Sequence, residues 1–319
     1  MGHRVLILSD ISHPGKNYLT ERGYEIRMSR GISEDEIIQD SKGCEAILVR
    51  NEHITRRIIE NAKELRVIAK HGVGVDKIDL EAAYEHGVWV TNGPISNTTA
   101  VAEHTVLLIL SCAKRLILFD SAVRKGDYEI RNRVKGIDLE GKTVGIIGLG
   151  KIGRQVAEIC HRGFSMRIQA YDPYINPKYA PDYAVMCPRL ENVVANADFV
   201  SLHLPATAEN SGFFDCNYFS MMKPTAYFIN AARGSLVNEG DLYEALKTGV
   251  IAGAGLDVFA SEPFDPKNPL FKLANVTLTP HNAALTLETT DRMGLHAAQG
   301  IDEVLSGKMP TWPVVIPNK

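Results

Sequence analysis

The chain has 319 residues, with 35 Lys and Arg against 38 Asp and Glu and a formal net charge of −3. That length exceeds one ordinary domain, so two are expected. The near balance of charge excludes the large positive field that nucleic acid or an anionic membrane surface would need, which leaves a small molecule as the expected partner.

The first ninety or so residues alternate strand-like runs (Val5 to Leu8, Glu25 to Met28, Ala46 to Val49, Val67 to Ala69, Val88 to Val90) with polar, helix-like stretches, an α/β pattern. Turn formers then gather at Thr91-Asn92-Gly93-Pro94-Ile95-Ser96-Asn97, where a linker is expected, with Asn97 or Thr98 capping a helix from Ala100. The longest apolar stretch, Val101 to Phe119, is interrupted by Glu103, His104, Lys114 and Arg115, so no membrane span is expected. The N-terminus starts directly with a strand-like run, and a cytoplasmic location is the expectation. Cys44, Cys112, Cys160, Cys187 and Cys216 are scattered, without a CxxC pair or a His cluster at metal-ligand spacing, and are read as reduced packing residues with no metal.

Thr143-Val144-Gly145-Ile146-Ile147 reads as a buried strand and Gln155 to Cys160 as the first turns of a helix, with Gly148-Leu149-Gly150-Lys151-Ile152-Gly153 between them. In that order Gly148 permits the tight turn, Gly150 lets the backbone approach a pyrophosphate, and Gly153 lets helix pack on strand. Unpaired N–H groups at the helix start face the anion. A second strand, Arg167 to Tyr171, ends at Asp172, whose carboxylate can accept hydrogen bonds from ribose hydroxyls and would repel a 2′-phosphate. NAD is therefore expected over NADP. Further strands at Asp198 to Leu202, Ala226 to Ile229, Ile251 to Leu256 and Val276 to Leu278 suggest a second α/β sheet. A long helical pattern from Leu287 to Leu305 ends at Gly307 and Pro310. The short tail beyond it is expected to return to the N-terminal domain. The predicted organisation is a discontinuous substrate (catalytic) domain of residues 1–98 plus 288–319, and an inserted NAD-binding domain of 99–287. Two crossings make a hinge, and the substrate is expected in the cleft beside it.

Three polar residues follow strands: Arg233 in Asn-Ala-Ala-Arg-Gly, Glu262 before Pro263, and His281 after Thr279-Pro280. Loops beyond the carboxyl ends of such strands are the usual ligand crevice. Each alone reads first as a surface charge, a turn residue or a helix cap. Jointly they meet the needs of carbonyl reduction. Hydride arrival at a ketone carbon leaves negative charge on oxygen, so a proton donor (His281) and a fixed positive charge (Arg233) lower the barrier. The planar guanidinium fork also suits the carboxylate and carbonyl oxygens of a 2-oxo acid. Glu262 is the candidate carboxylate that orients the histidine and favours its imidazolium form. The loop His71-Gly72-Val73-Gly74 offers successive N–H groups as an anion nest.

These ordered signatures, with Gly-Leu-Asp-Val-Phe at 255–259, Lys70 to Asp76 and Asn97 to His104, resemble the D-isomer-specific 2-hydroxyacid dehydrogenases over nearly the whole chain. The resemblance implies an α/β fold of two doubly wound parallel-sheet domains, a Rossmann NAD-binding domain inserted into a flavodoxin-like substrate domain, usually in a homodimer. Arg233 is implied to bind substrate, Glu262 to support the histidine and His281 to act as acid and base, with Gly72, Val73 and Gly74 at the substrate carboxylate. Cofactor contacts are implied from Gly148, Gly150, Lys151, Ile152, Gly153 and Asp172, and from Leu204, Pro205, Asn210, Ala231, Arg233, Asp257, His281 and Ala283. Within the family the chain is most similar to the D-3-phosphoglycerate dehydrogenase branch, in which Arg50 and Lys70 match basic positions at the substrate phosphate. Arg131 and Arg133 are weaker candidates, read first as surface charges. Ending at Lys319, the sequence shows no C-terminal regulatory domain, so serine feedback through one is not expected. The remaining readings are a generic D-2-hydroxyacid dehydrogenase, a hydroxypyruvate or glyoxylate reductase, an enzyme for a sulfonated analogue, or an NAD(H)-sensing binding protein of the corepressor type.

Overall fold

Short aliphatic runs buried on both faces build the framework. Val5-Leu6-Ile7, Ala46-Ile47-Leu48-Val49 and Val67-Ile68-Ala69 are all buried, the pattern of parallel strands covered by helices on each side. The computed structural model describes residues 2–317. In chain order its elements are β1 (Arg4–Ile7), α1 (His13–Glu21), β2 (Glu25–Met28), α2 (Glu34–Asp40), β3 (Ala46–Val49), α3 (Arg56–Asn61), β4 (Val67–Lys70), α4 (Leu80–Glu85), β5 (Trp89–Thr91), α5 (Thr98–Ala113), α6 (Leu116–Arg124) and α7 (Ile130–Arg133). There follow β6 (Thr143–Ile147), α8 (Lys151–Phe164), β7 (Arg167–Tyr171), β8 (Ala184–Met186), α9 (Leu190–Asn196), β9 (Phe199–Leu202), α10 (Cys216–Met221), β10 (Tyr227–Asn230), α11 (Glu239–Lys247), β11 (Gly253–Leu256), β12 (Val276–Leu278), α12 (Leu287–Leu305) and β13 (Pro313–Val315).

The chain divides into two compact units, one reaching Asn97 and resuming at Ala284, the other Thr98–Ala283. In the first, the sheet order is β13-β5-β4-β3-β1-β2. Its parallel strands thus run in the flavodoxin-like order 2-1-3-4-5. The C-terminal tail supplies β13, which pairs antiparallel with β5. The second sheet has the order β12-β11-β10-β9-β6-β7-β8, all parallel. That is the Rossmann order with one added strand, and the switch point lies between β6 and β9.

Helix starts follow local chemistry. Ser33 and Glu36 form a capping box on α2, Asp79 accepts from Ala82 N–H on α4, and Thr286 caps α12 through Thr289 N–H. α5 begins at Thr98, two residues before the sequence reading, and β8 and β13 are short edge strands that the apolar pattern did not reveal. The second crossing falls at Ala283–Ala284, earlier than the sequence boundary, because residues beyond it lead into α12. α12 belongs with the first unit: a Cβ on Gly15 of α1 would lie 2.7 Å from the backbone of Gly294, so the two helices meet at glycine contact distance. Among the described residues no helix is long and apolar enough to cross a membrane.

His71, just after β4, is 6% exposed, and its Nε2 has no hydrogen-bond partner among the described residues. Burial, aided by the nearby charges of Arg50 and Lys70, pushes its pKa down to about 4. The folded ring therefore stays neutral to about pH 4, whereas an unfolded imidazole takes its proton near 6.5. Between those values the unfolded chain binds more protons, so stability must fall as pH drops from 6.5 toward 4. At pH 5 this loss amounts to about 2 kcal/mol. Urea unfolding at pH 7 and pH 5 checks it: His71→Asn is expected to shrink the difference between the two pH values by about that amount, and an unchanged difference would refute the buried neutral histidine.

Candidate active site

The glycine turn after β6 is shaped by contacts that leave no room for side chains. Gly148 sits at φ +95°, and a Cβ there would lie 2.7 Å from the carbonyl oxygen of His203, while one on Gly153 would lie 2.1 Å from the Gly148 oxygen. Gly150 is different: a Cβ built on it meets nothing within 4 Å. Gly150 is also the N-cap of α8 and supplies no side-chain cap, so the amides of that first turn open onto space beside Lys151 and Ile152. At the end of β7 the Asp172 carboxylate accepts N–H from Leu149 (2.9 Å) and Tyr174 (2.9 Å), which fixes it beside the glycine turn. Open space over uncapped helix amides, with a carboxylate fixed alongside, fits a dinucleotide pyrophosphate and ribose. Leu204 and Pro205 follow β9, and Asn210 closes their loop by donating to Pro205 O (2.9 Å) and accepting from Thr207 N–H (2.8 Å).

The three candidate catalytic side chains leave adjacent strands at one level. β10, β11 and β12 are neighbours, with Asn230 opposite Leu256 and Leu256 opposite Leu278. Arg233 and His281 each come three residues after those strand ends. Asn230 shapes the first loop: it accepts from Ala232 N–H (3.0 Å) and donates to Arg233 O (2.9 Å). The next residue, Gly234, lies so close to the second loop that a Cβ would stand 2.0 Å from the backbone of Phe259. In that second loop Glu262 Oε1 accepts from Phe259 N–H (3.2 Å), and its Oε2 lies 2.6 Å from His281 Nδ1. With Nδ1 held by the carboxylate, Nε2 is the ring nitrogen left to exchange a proton.

Asp257, fully buried at the end of β11, organises the third loop. Its Oδ1 accepts from Thr279 Oγ1 (2.6 Å) and Asn282 N–H (3.0 Å), its Oδ2 from Ala283 N–H (3.0 Å), and its carbonyl from His281 N–H (2.7 Å). Burial pushes this carboxyl up, but hydrogen bonds from His104, Thr279 and the 282–283 amides outweigh it and hold the group below the usual carboxylate range. His281 adopts φ +51°, a left-handed conformation uncommon for a non-glycine residue, between those bonds. The resemblance implies Asp257 at the cofactor, and in the structure both its carboxylate oxygens are engaged in holding this turn.

In the first unit the basic residues also collect at strand ends. Arg50 follows β3, and Lys70, the last residue of β4, donates to Arg50 O. Arg50 Nη1 donates to Asp10 O (2.8 Å). Gly72 lies at φ +125°, Gly93 N–H donates to its carbonyl (2.8 Å), and Asn92 Nδ2 donates to Val73 O (2.8 Å), so the loop through Gly74 is tied to the residues after β5. Glu52, which the sequence reading passed over, underlies this group: its buried carboxylate accepts from Arg50 N–H (2.8 Å), Asn51 N–H (3.1 Å) and the Ser9 hydroxyl. Burial raises its pKa, and those bonds more than reverse the effect. A side chain that serves only other groups of the protein carries no sequence signature. Arg131 and Arg133 belong to the second unit, where Arg133 pairs with Asp127 and Arg131 with the Tyr128 hydroxyl.

A family model described as the D-isomer specific 2-hydroxyacid dehydrogenase NAD-binding domain matches residues 106–283, more than half the chain. The D-3-phosphoglycerate dehydrogenase of Archaeoglobus fulgidus is 39% identical over 305 residues, covering 95% of this chain and 58% of that protein, so the chain spans under two thirds of its length. The glyoxylate reductase of Korarchaeum cryptofilum is 36% identical over 317 residues, covering 97% of this chain and 95% of the relative. A crystal structure of a Thermus thermophilus protein superposes with a TM-score of 0.91 at 35% identity, covering 98% of this chain and all of that one. With a dinucleotide turn on a Rossmann sheet and a Glu–His pair beside an arginine loop, the chain belongs to the D-isomer-specific 2-hydroxyacid dehydrogenases, oxidoreductases that act on CH–OH groups with NAD(P).

Proposed function

We propose that the protein interconverts a D-2-hydroxy acid and its 2-oxo acid with NAD(H), preferring a substrate with a second anionic group such as 3-phosphoglycerate. The observation that carries this reading is the 2.6 Å contact between His281 Nδ1 and Glu262 Oε2, made between the loops after β12 and β11, with the Arg233 loop following the adjacent strand β10. The nicotinamide, when bound, supplies or accepts the hydride. His281 gives a proton from Nε2 to the substrate oxygen in reduction and takes it back in oxidation, with Glu262 fixing the ring tautomer and orientation. Arg233 holds the carboxylate and the C2 oxygen through its planar fork, and its fixed charge favours the oxyanion. Gly72, Val73 and Gly74 offer backbone amides to the carboxylate, and Arg50 and Lys70 take the distal anion. On the cofactor side, Gly148, Gly150, Lys151, Ile152 and Gly153 line the pyrophosphate, and Asp172 binds the ribose hydroxyls. Leu204, Pro205, Asn210, Ala231 and Ala283 complete that surface, and Asp257 underlies it by holding the turn from His281 to Ala283.

A cytoplasmic location is proposed from the five free cysteines, three of them buried. A homodimer is proposed from exposed Leu107, Leu116, Ile117, Val123 and Tyr128 on and between α5 and α7. Val106, Leu108 and Ile109, beside Leu107 on α5, are buried in the unit's own core and take no part in that surface.

A second reading, glyoxylate or hydroxypyruvate reduction, is favoured by the near full-length match to the Korarchaeum enzyme. A panel of 2-oxo acids with and without phosphate, followed by NADH absorbance, separates the two. The phosphorylated member is expected to turn over best, and Arg50→Ala to raise its KM by about 10- to 100-fold with little change for glyoxylate. Equal KM effects on both would favour the second reading. NADH binding without turnover of any member would favour an NAD(H)-sensing protein instead.

Cofactor choice has its own test. Asp172→Ala is expected to lower discrimination against NADP by about tenfold or more, since the variant lacks both the ribose acceptor and the charge that repels a 2′-phosphate. Ratios of kcat/KM for the two cofactors measure it, and an unchanged ratio would assign the preference to another group.

A further inference from the structure

One face of α5 runs the length of β11 and β12. A Cβ on Gly255 would lie 3.0 Å from Leu108 Cβ and 3.3 Å from Cys112 Sγ, so the helix approaches this strand closely because residue 255 has no side chain. Cys112 Sγ in turn lies 3.9 Å from Thr277 Oγ1 on β12. His104 is four residues before Leu108, on the same helix face and one turn nearer the carboxyl ends of those strands. There its Nε2 lies 2.9 Å from Thr279 Oγ1 and 3.4 Å from Asp257 Oδ1, with its side chain 12% exposed. The Thr279 hydroxyl has one proton and gives it to Asp257 Oδ1 at 2.6 Å. Toward His104 the same oxygen can only accept, so Nε2 of His104 carries the hydrogen.

From these contacts we infer that His104 is a positioning residue for His281, acting through Thr279 and Asp257. The route is continuous. His104 fixes the Thr279 hydroxyl, Thr279 and His104 fix Asp257, and Asp257 holds the amides of His281, Asn282 and Ala283. Those three bonds bracket the left-handed backbone of His281 and aim its ring at Glu262. The network also ties the start of the second unit to its end, because α5 opens at Thr98 and the turn closes at Ala283. The catalytic meaning of this rests on the reading of His281 as the proton-transfer group.

The test uses His104→Leu, which keeps bulk without a donor, and His104→Gln, whose side-chain amide can again donate to Thr279. The first readout needs no substrate: the 15N shifts of the His281 ring in histidine-labelled protein, assigned by their absence in His281→Gln. The Leu variant is expected to move those shifts away from the Nδ1–H form and to lower kcat about tenfold with KM for NADH unchanged, and the Gln variant to restore both to within about threefold. Thr279→Val, which cuts the same route with His104 intact, is expected to behave like the Leu variant, and it stands in should His104→Leu fail to fold. Ring shifts unaltered in Leu and Val variants would overturn the inference. So would equal losses in Leu and Gln variants that follow only a lowered melting temperature. Ring shifts that move as expected in a protein that turns over no 2-oxo acid would sustain the positioning role and reject the proposed function.

Discussion

A carboxylate with no access to water has to find donors, and Asp257 finds all but one of them in one turn. An ionised group left unpaired in a protein interior is costly enough that the surrounding chain is organised around it. Here the donors are a threonine hydroxyl, a histidine from the helix alongside, and the amides of Asn282 and Ala283. The consequence is chemical. The residue inside that turn is His281, held in a left-handed conformation from which its ring meets Glu262. Under the proposed function, rigid support from beneath, rather than the pair alone, is what lets such a histidine act as acid and base.

The same economy appears at the glycine turn and at the basic cluster. In each, backbone or long cations that would face a ligand are fixed by a side chain set alongside or beneath them: Asp172 beside Leu149, Glu52 beneath Arg50, Asn230 behind Arg233. Parallel sheets explain why these places recur. Every strand of the Rossmann sheet points the same way, so each following loop emerges on one side, and helix N-termini gather there with their unpaired donors.

The strands and the long C-terminal helix were legible in the sequence because their apolar periodicity is strong. Leu287–Leu305 agrees at both ends, since Thr286 caps one and Gly307 follows the other. Edge strands β8 and β13 were not legible: both are three residues long, and neither is a continuous buried run. The turn at Gly148 was readable because glycine spacing records backbone geometry directly. That Arg233, Glu262 and His281 follow strands was legible, and the contact between the last two is a tertiary fact that spacing alone could not supply. His104, Thr279 and Glu52 illustrate the limit. They act on other protein groups, so their chemistry becomes visible only when the partners are brought alongside.

The account stands or falls on hydride transfer to a 2-oxo carbon with a proton delivered to its oxygen by this protein. The most direct measurement is the product of 3-phosphohydroxypyruvate, or whichever 2-oxo acid the panel favours, reduced with NADH deuterated at C4. The account requires a D-2-hydroxy acid with deuterium at C2, formed in step with NADH oxidation. An L product, or NADH oxidised without deuterium reaching C2, would contradict it.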